Sequence, residues 1–161
     1  MTTTITGATG IDNIQAATGA VLQVVSTTES IEYSTTTSDF TARATGLSAT
    51  ITPSSVNSKV LVTVNTMIAF QYNNTFGKAA LYRSISGGAS TNNLTGESYG
   101  FILAGNGVTH APISFSYSDS PSSTAAITYS PTFGYALGGA GIVYLGGGSI
   151  SSTITVQEIA G

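Results

Sequence analysis

The sequence predicts an all-β protein, an antiparallel β-sandwich of the jelly-roll-like kind with a short extended N-terminal arm. Three observations predict it. Apolar and polar residues alternate over most of the chain, turn-forming pairs recur at short intervals, and no window has the 3.6-residue period of a helix. Glycine at 19 of the 161 positions would also weaken any long helix. About ten short strands separated by turns are typical of a sandwich or jelly roll.

The chain divides into an N-terminal docking arm, residues 1–19, and a β-sandwich head, residues 20–161. The arm is rich in Thr and Gly and has too few apolar residues for a core of its own. Two arrangements would order such a segment: packing within its own subunit, or docking on another chain. We expect docking on another chain.

Eleven strands are predicted in the head, with turn signals between them. The turn signals are Pro and Gly pairs and Asn-Gly, which suit tight reversals of the chain. The predicted strands are Ala20–Ser26, Ser30–Thr35, Phe40–Ala44, Ala49–Thr52, Lys59–Tyr72, Ala79–Ile85, Tyr99–Ala104, Ile113–Ser118, Ala125–Tyr129, Ile142–Leu145 and Ser152–Ile159.

The longest predicted strand, Lys59–Tyr72, has two unequal faces. The core face is nearly all apolar, because it carries Val60, Val62, Val64, Thr66, Ile68, Phe70 and Tyr72. The opposite face is only partly polar, since Leu61 and Met67 lie on it. We expect a partner chain to cover these two residues.

Composition limits the function. Only 7% of the residues are charged, against about 25% in an ordinary soluble domain, and roughly three in ten are Ser or Thr. A net charge of −3 and four scattered basic residues argue against nucleic-acid binding and against a charged membrane surface. Apolar runs are too short for a membrane helix. Without Cys there is neither a disulfide framework nor a thiolate metal site.

The stretch Ile113–Tyr129, with the only histidine, His110, just before it, contains the residue types of a nucleophilic hydrolase. His110 would be the base, Asp119 or Asp39 would orient it, and a nearby serine would attack. No nucleophile elbow is present, and a serine near a histidine is expected by chance in so Ser-rich a chain. We therefore interpret His110 as a loop residue and Asp119 as a cap on the turn at Pro121, with no catalytic residue assigned.

Carboxylates and glycines predict no cofactor, metal or phosphate site. Glu29 and Glu32 fall on opposite faces of a strand, which does not suit a glycosidase pair. Ligand spacing for calcium or zinc is missing, and the clusters Gly138–Gly141 and Gly146–Gly148 match no phosphate-binding motif.

Two features remain open at this stage. Alternation in the last strand points Glu158 inward, so either a bulge or strand end shifts the register, which we favour, or the carboxylate pairs with a base such as Lys59 or Arg83. Four aromatic residues are candidate platforms for sugars, although core or subunit-interface positions are the commoner use. They are Tyr72, Phe76, Tyr99 and Phe101.

Several segments together resemble the β-sandwich domain of tailed-bacteriophage structural proteins, in particular fibre and capsid-surface proteins of phages of marine bacteria and cyanobacteria. The segments are Thr3–Gln15 with Gly19–Val25, Ile51–Val62, Tyr117–Tyr129 and Ser151–Gly161. The resemblance implies a jelly-roll-like head, commonly trimeric, behind a segment that attaches to the particle, and no enzymatic activity. Only about nineteen residues precede the sandwich, which favours a small capsid-surface protein or short fibre over a long tail fibre.

We therefore expect a non-enzymatic virion protein, a homotrimer displayed on the particle as capsid decoration or a short head fibre, with its arm docked to capsid or tail proteins. The alternative is a receptor-binding tail-fibre head that recognises host surface glycans. A depolymerase has little support in the residues present. A bacterial adhesin is disfavoured, because the first residues lack the features of an export signal.

Overall fold

A computed structural model describes residues 17–71, 76–105, 110–137, 141–147 and 150–161. Within these ranges the chain forms strands and loops only. The strands are β1 (Val21–Glu29), β2 (Glu32–Thr35), β3 (Ala42–Arg43), β4 (Ala49–Ile51), β5 (Lys59–Phe70), β6 (Phe76–Ile85), β7 (Ser90–Thr91), β8 (Ile102–Gly105), β9 (Ala111–Asp119), β10 (Ile127–Leu137), β11 (Val143–Gly146) and β12 (Ser152–Ile159). None of the described residues belongs to a helix that could cross a membrane.

These strands form two antiparallel sheets. The first sheet contains β1, β2, β5, β9, β11 and β12, and the second contains β3, β4, β6, β7, β8 and β10. Several short strands lie end to end against one partner strand. For example, β11 and β12 both pair with the same edge of β5, while β9 pairs with its other edge. In the same way, β3 and β4 lie end to end against β10, and β7 and β8 lie end to end against β6. The successive strands β1 and β2 pair with β12 and β11, respectively.

When each end-to-end pair is counted as one strand, the described residues form eight strands in chain order. The first sheet then has the order 1-8-3-6 and the second has the order 2-7-4-5. Two sheets of four strands with this nested connectivity are a jelly roll. The predicted fold class, an all-β antiparallel sandwich of the jelly-roll kind, is therefore confirmed.

The core lies between the two sheets and follows from the period-2 pattern. Val60, Val62 and Val64 of β5 point inward from the first sheet, as predicted, and Ile127 and Tyr129 of β10 meet them from the second. The fully buried side chains are almost all aliphatic or aromatic. Burial of such side chains contributes about 1.5–3 kcal/mol each, which makes this interface the main source of stability.

The strand β10, Ile127–Leu137, runs beyond the predicted Ala125–Tyr129 and includes Pro131 and Gly134, two residue types that are uncommon inside strands. Pro131 is tolerated because it lies opposite the gap between β3 and β4, where its carbonyl accepts from the Ala44 amide at 3.1 Å. The backbone nitrogen of Pro131 faces the same gap, so the lack of an N–H on this residue removes no hydrogen bond between paired strands. The two-residue strand β7 was missed altogether.

Gly134 allows a loop to cross the outer face of the second sheet. A Cβ at this position would lie 2.5 Å from the Asp39 carbonyl oxygen and 3.0 Å from that of Thr37. The Thr37 carbonyl also accepts from the Tyr135 amide at 2.9 Å, which fixes the loop on the sheet. The close approach of backbone to backbone therefore requires glycine.

Replacing Gly134 with alanine should lower the free energy of unfolding by about 1–3 kcal/mol, since the loop must move away from the sheet. Urea unfolding would measure the change. Gly88→Ala is the matched control, because a Cβ there meets only ordinary contacts at 3.6 Å. Equal effects of the two substitutions would contradict this account of Gly134.

The second face of β5 differs from expectation. Leu61 is half-buried, but Met67 is 9% exposed within a single chain, so this residue needs no partner to cover it. Met67 lines a groove of about 380 Å³ beside Pro112 and Ile150, and these neighbours shield it. The predicted arm lies almost wholly outside the described residues, and Tyr72 lies outside them as well.

Candidate interaction surface

A buried carboxylate organises the end of the head where β12 finishes. Glu158 is 1% exposed and keeps the inward orientation that alternation predicts, because β12 pairs with β5 without a register shift. The expected bulge is instead in β1, between Val21 and Gln23. Neither Lys59 nor Arg83 pairs with Glu158, so both sequence-based explanations were wrong.

Neutral donors surround this carboxylate. Its Oε1 accepts from the Ser54 amide, the Ser54 hydroxyl and the Ser58 hydroxyl, each at 2.7 Å, and its Oε2 accepts from Gln23 Nε2 at 2.6 Å. Gln23 also donates to the Thr52 carbonyl at 2.7 Å. The carboxylate therefore ties the loop at residues 52–58 to β1 and β12.

The protonation state of Glu158 follows from these contacts. Burial raises the pKa of this carboxyl, but the hydrogen bonds from Ser54, Gln23 and Ser58 outweigh burial and lower the pKa to about 2. Glu158 is therefore ionised at neutral pH although no base lies beside it.

A second buried network lies between the sheets. Asp119 is 5% exposed and accepts from Arg83 at 2.9 Å and from the Tyr129 hydroxyl at 2.8 Å. Burial, together with the hydrogen bond to Asp119, raises the pKa of Tyr129 well above its usual value, so this hydroxyl stays a donor. The interpretation of Asp119 as a cap on the Pro121 turn was wrong, because the residue ends β9 on its inner face.

The candidate triad is not assembled. Asp119 is occupied by Arg83 and Tyr129, and Asp39 accepts from the Thr41 hydroxyl at 2.6 Å. His110 is exposed and lines a hollow of about 280 Å³ with Glu32 and Tyr144. Within the described ranges neither aspartate hydrogen-bonds His110, so the expected hydrolase arrangement has no geometric support.

Glu29 and Glu32 point in different directions, as the sequence predicts. Glu29 turns toward the core and accepts from the Tyr33 hydroxyl at 3.0 Å, and burial raises the pKa of Glu29. Glu32 is exposed. No group of three or more possible metal ligands occurs in the part of the chain that the structure describes.

Three of the four cations are engaged inside the head. Arg83 pairs with Asp119, Arg43 lies over the Tyr82 ring at 4.1 Å, and Lys78 lies over the Phe40 ring at 4.5 Å. Burial lowers the pKa of Lys78, whose ammonium also donates to the Ser98 carbonyl at 3.1 Å. Lys59 is exposed. These cations therefore form no basic patch.

The outer face of the first sheet is an array of uncharged polar groups. Hydroxyls face each other across strands, as in Ser26 with Thr155 at 3.0 Å and Thr28 with Thr153 at 3.1 Å. The rows continue over β5 and β9, where the outward residues include Thr63, Asn65, Ser114, Ser116 and Ser118. This part of the outer face therefore presents mainly hydroxyl and amide groups to its surroundings.

Exposed large apolar residues gather where the chain enters the head. Val21, Leu22 and Val24 at the start of β1 are 53%, 39% and 54% exposed, and Val56 in the nearby loop is 54% exposed. Leu22 and the C-terminal Gly161 line a hollow of about 340 Å³ with this loop. The Gly19 amide donates to the Ala160 carbonyl at 2.8 Å, so Gly19 also lies at this end of the head. Exposed apolar groups of this kind mark interaction surfaces.

Three of the four aromatic candidates lie within the described residues. Phe101 is partly buried, packs against the core and stacks on Phe115 with ring centres 4.8 Å apart, Phe76 is half-buried, and Tyr99 is exposed. Sequence reasoning missed the apolar end, because Val21, Leu22 and Val24 are as apolar as core residues and lie within a predicted strand. The signal was the Gln-Val-Val run at residues 23–25, which breaks strict alternation.

Comparisons with known proteins give fold likeness only. No protein-family model matches the chain, and neither does any curated protein. Similar solved structures include infectious bursal disease virus of the Gx strain (13% identity, TM-score 0.46) and the Gt strain (15%, 0.44), and a mutant VP2 protein of that virus from T=1 particles (16%, 0.44). They match 97%, 97% and 96% of this chain, which spans 37%, 43% and 41% of theirs.

Proposed function

We propose that this chain is a non-enzymatic structural protein of a bacteriophage virion, displayed on the particle as capsid decoration or a short head fibre. The observation that carries the proposal is the apolar surface at Val21, Leu22, Val24 and Val56, at the end from which the arm leaves. One end of the head would then attach, and the hydroxyl face would point to solvent.

The polar groups support a passive role. The buried carboxylates Asp119 and Glu158 are saturated by donors from their own chain, and Arg43, Lys78 and Arg83 are engaged internally. Such groups hold the head in one shape, because buried charges are costly unless they are fully hydrogen-bonded. The bacteriophage assignment, the trimer and the virion location come from the sequence resemblance given above.

Deleting Met1–Gln15 should abolish attachment to the particle and leave a folded head, because every strand in the described part of the chain begins after residue 20. The measurement compares labelled full-length and truncated protein on particles by sedimentation and electron microscopy. Circular dichroism checks the fold of the truncated protein. Equal occupancy by the truncated protein would refute the arm as the attachment segment, and label confined to the tail tip would favour the receptor-binding alternative.

A further inference from the structure

The strand β1 has an edge that no other described strand occupies. β1 runs for nine residues, Val21–Glu29, and pairs with β12 on one side only among the described strands. Exposed edges of this length are usually blocked by Lys, Pro or a short strand, because they invite pairing with other chains. This one carries neither Lys nor Pro. Its one bulge lies between Val21 and Gln23, before the regularly paired stretch Val24–Glu29, so that stretch can accept a further strand.

The outward side chains along this edge change from apolar to hydroxyl-bearing between Val24 and Ser26. Val24 lies on the outer face opposite Gln157, and Ser26 follows on the same face opposite Thr155. Val24 is 54% exposed, whereas Ser26 continues the hydroxyl row with a 3.0 Å contact to Thr155. A complementary strand would therefore offer an apolar residue and, two positions away, a hydroxyl.

The segment Met1–Thr6 has this pattern. It reads Met-Thr-Thr-Thr-Ile-Thr, is uncharged in its side chains, and is rich in the β-branched residues that suit strands. We propose that Met1–Thr6 of a second copy adds antiparallel to β1, with Ile5 opposite Val24 and Thr3 opposite Ser26. Apolar and hydroxyl cross-strand pairs of this kind each stabilise a sheet by about 0.2–1 kcal/mol.

A second copy suits the spacing of the chain better than the same copy. A hairpin within one chain would leave Gly7–Ala20 as its loop, whereas hairpin loops are about 2–5 residues long. Exchange between copies lets that stretch run from one head to the next. This inference deepens the proposed function, because it names the surface on which the arm docks.

The experiment uses the full chain in solution, away from any particle. Sedimentation velocity and light scattering would compare wild type with Ile5→Asp, Val24→Lys and the double variant. Each single variant should self-associate at least about tenfold more weakly, because it places an unpaired charge in the strand pair. The double variant should recover most of the association, since the two charges then face each other.

Ser116→Lys is the matched control, since it adds the same charge to an exposed position on β9, the other edge strand of the first sheet. It should leave association unchanged, and thermal melting should show every variant folded. A monomeric wild type, unaffected single variants or no recovery in the double variant would each overturn the proposal. Because no particle is involved, these results are independent of the virion assignment.

Discussion

Replacing Glu158 with alanine is expected to lower the free energy of unfolding by about 3–5 kcal/mol, one of the two largest effects expected for this chain. The substitution removes the acceptor of four hydrogen bonds and leaves the Ser58 donor in a buried site and the donors of Ser54 and Gln23 in a partly buried one. The loop at residues 52–58 also loses its tie to β12. Urea unfolding at neutral pH measures the loss.

The effect of Glu158 should depend on pH in a defined direction. Its pKa is about 2 in the folded chain against a usual value of 4.5, so the stabilisation is present above about pH 4.5 and is lost as the pH falls toward 2. The difference in stability between wild type and Glu158→Gln should therefore shrink between about pH 5 and pH 2.

The matched control for these measurements is Glu97→Ala, which removes an exposed carboxylate and should change the stability by less than about 0.5 kcal/mol. If Glu158→Ala unfolded like this control, or if its effect did not vary with pH, the carboxylate would not be holding the loop.

Replacing Asp119 with alanine should cost about 3 kcal/mol, because it leaves the Arg83 guanidinium without its counterion and the Tyr129 hydroxyl without its acceptor. Arg83 Nε is already buried without a partner in the described part of the chain, so the remaining guanidinium would be poorly satisfied. Tyr129→Phe removes one hydrogen bond and should cost only about 1 kcal/mol.

A double-mutant cycle separates the ion pair from simple loss of packing. Asp119→Leu combined with Arg83→Met should be less destabilised than Asp119→Leu alone, because the double variant buries no unpaired charge. Strict additivity of the two single effects, measured by urea unfolding, would show that the two side chains are not coupled.

The strands were predictable where alternation was clean. In β5 the inward residues are apolar apart from Thr66, and in β12 the inward residues Ile154 and Val156 alternate with polar ones. The predicted bounds of β12 match the structure. The sequence predicted a sandwich of the jelly-roll kind but not the order of the eight strands in the two sheets, because strand order depends on which distant segments pair. The continuation of β10 through Pro131 and Gly134 was not predicted, since their place in a strand depends on a gap in the neighbouring strand and on a crossing loop.

The polar sites could not be placed from sequence. Alternation pointed Glu158 inward, but no local pattern reveals that Ser54, Ser58 and Gln23 converge on it from two other segments. Asp119 was read from its neighbour Pro121, although its partner Arg83 lies in another sheet. Local reasoning finds the orientation of a side chain, while its partners depend on the tertiary fold.

Arg43, Lys78 and Arg83 are held in contacts within the head, so few cationic groups at its surface are available for screening by salt. The self-association proposed above would rest on hydroxyl and aliphatic contacts, so its strength should change little between low and high salt concentration. Contacts made by exposed ion pairs would instead weaken as the salt concentration rises.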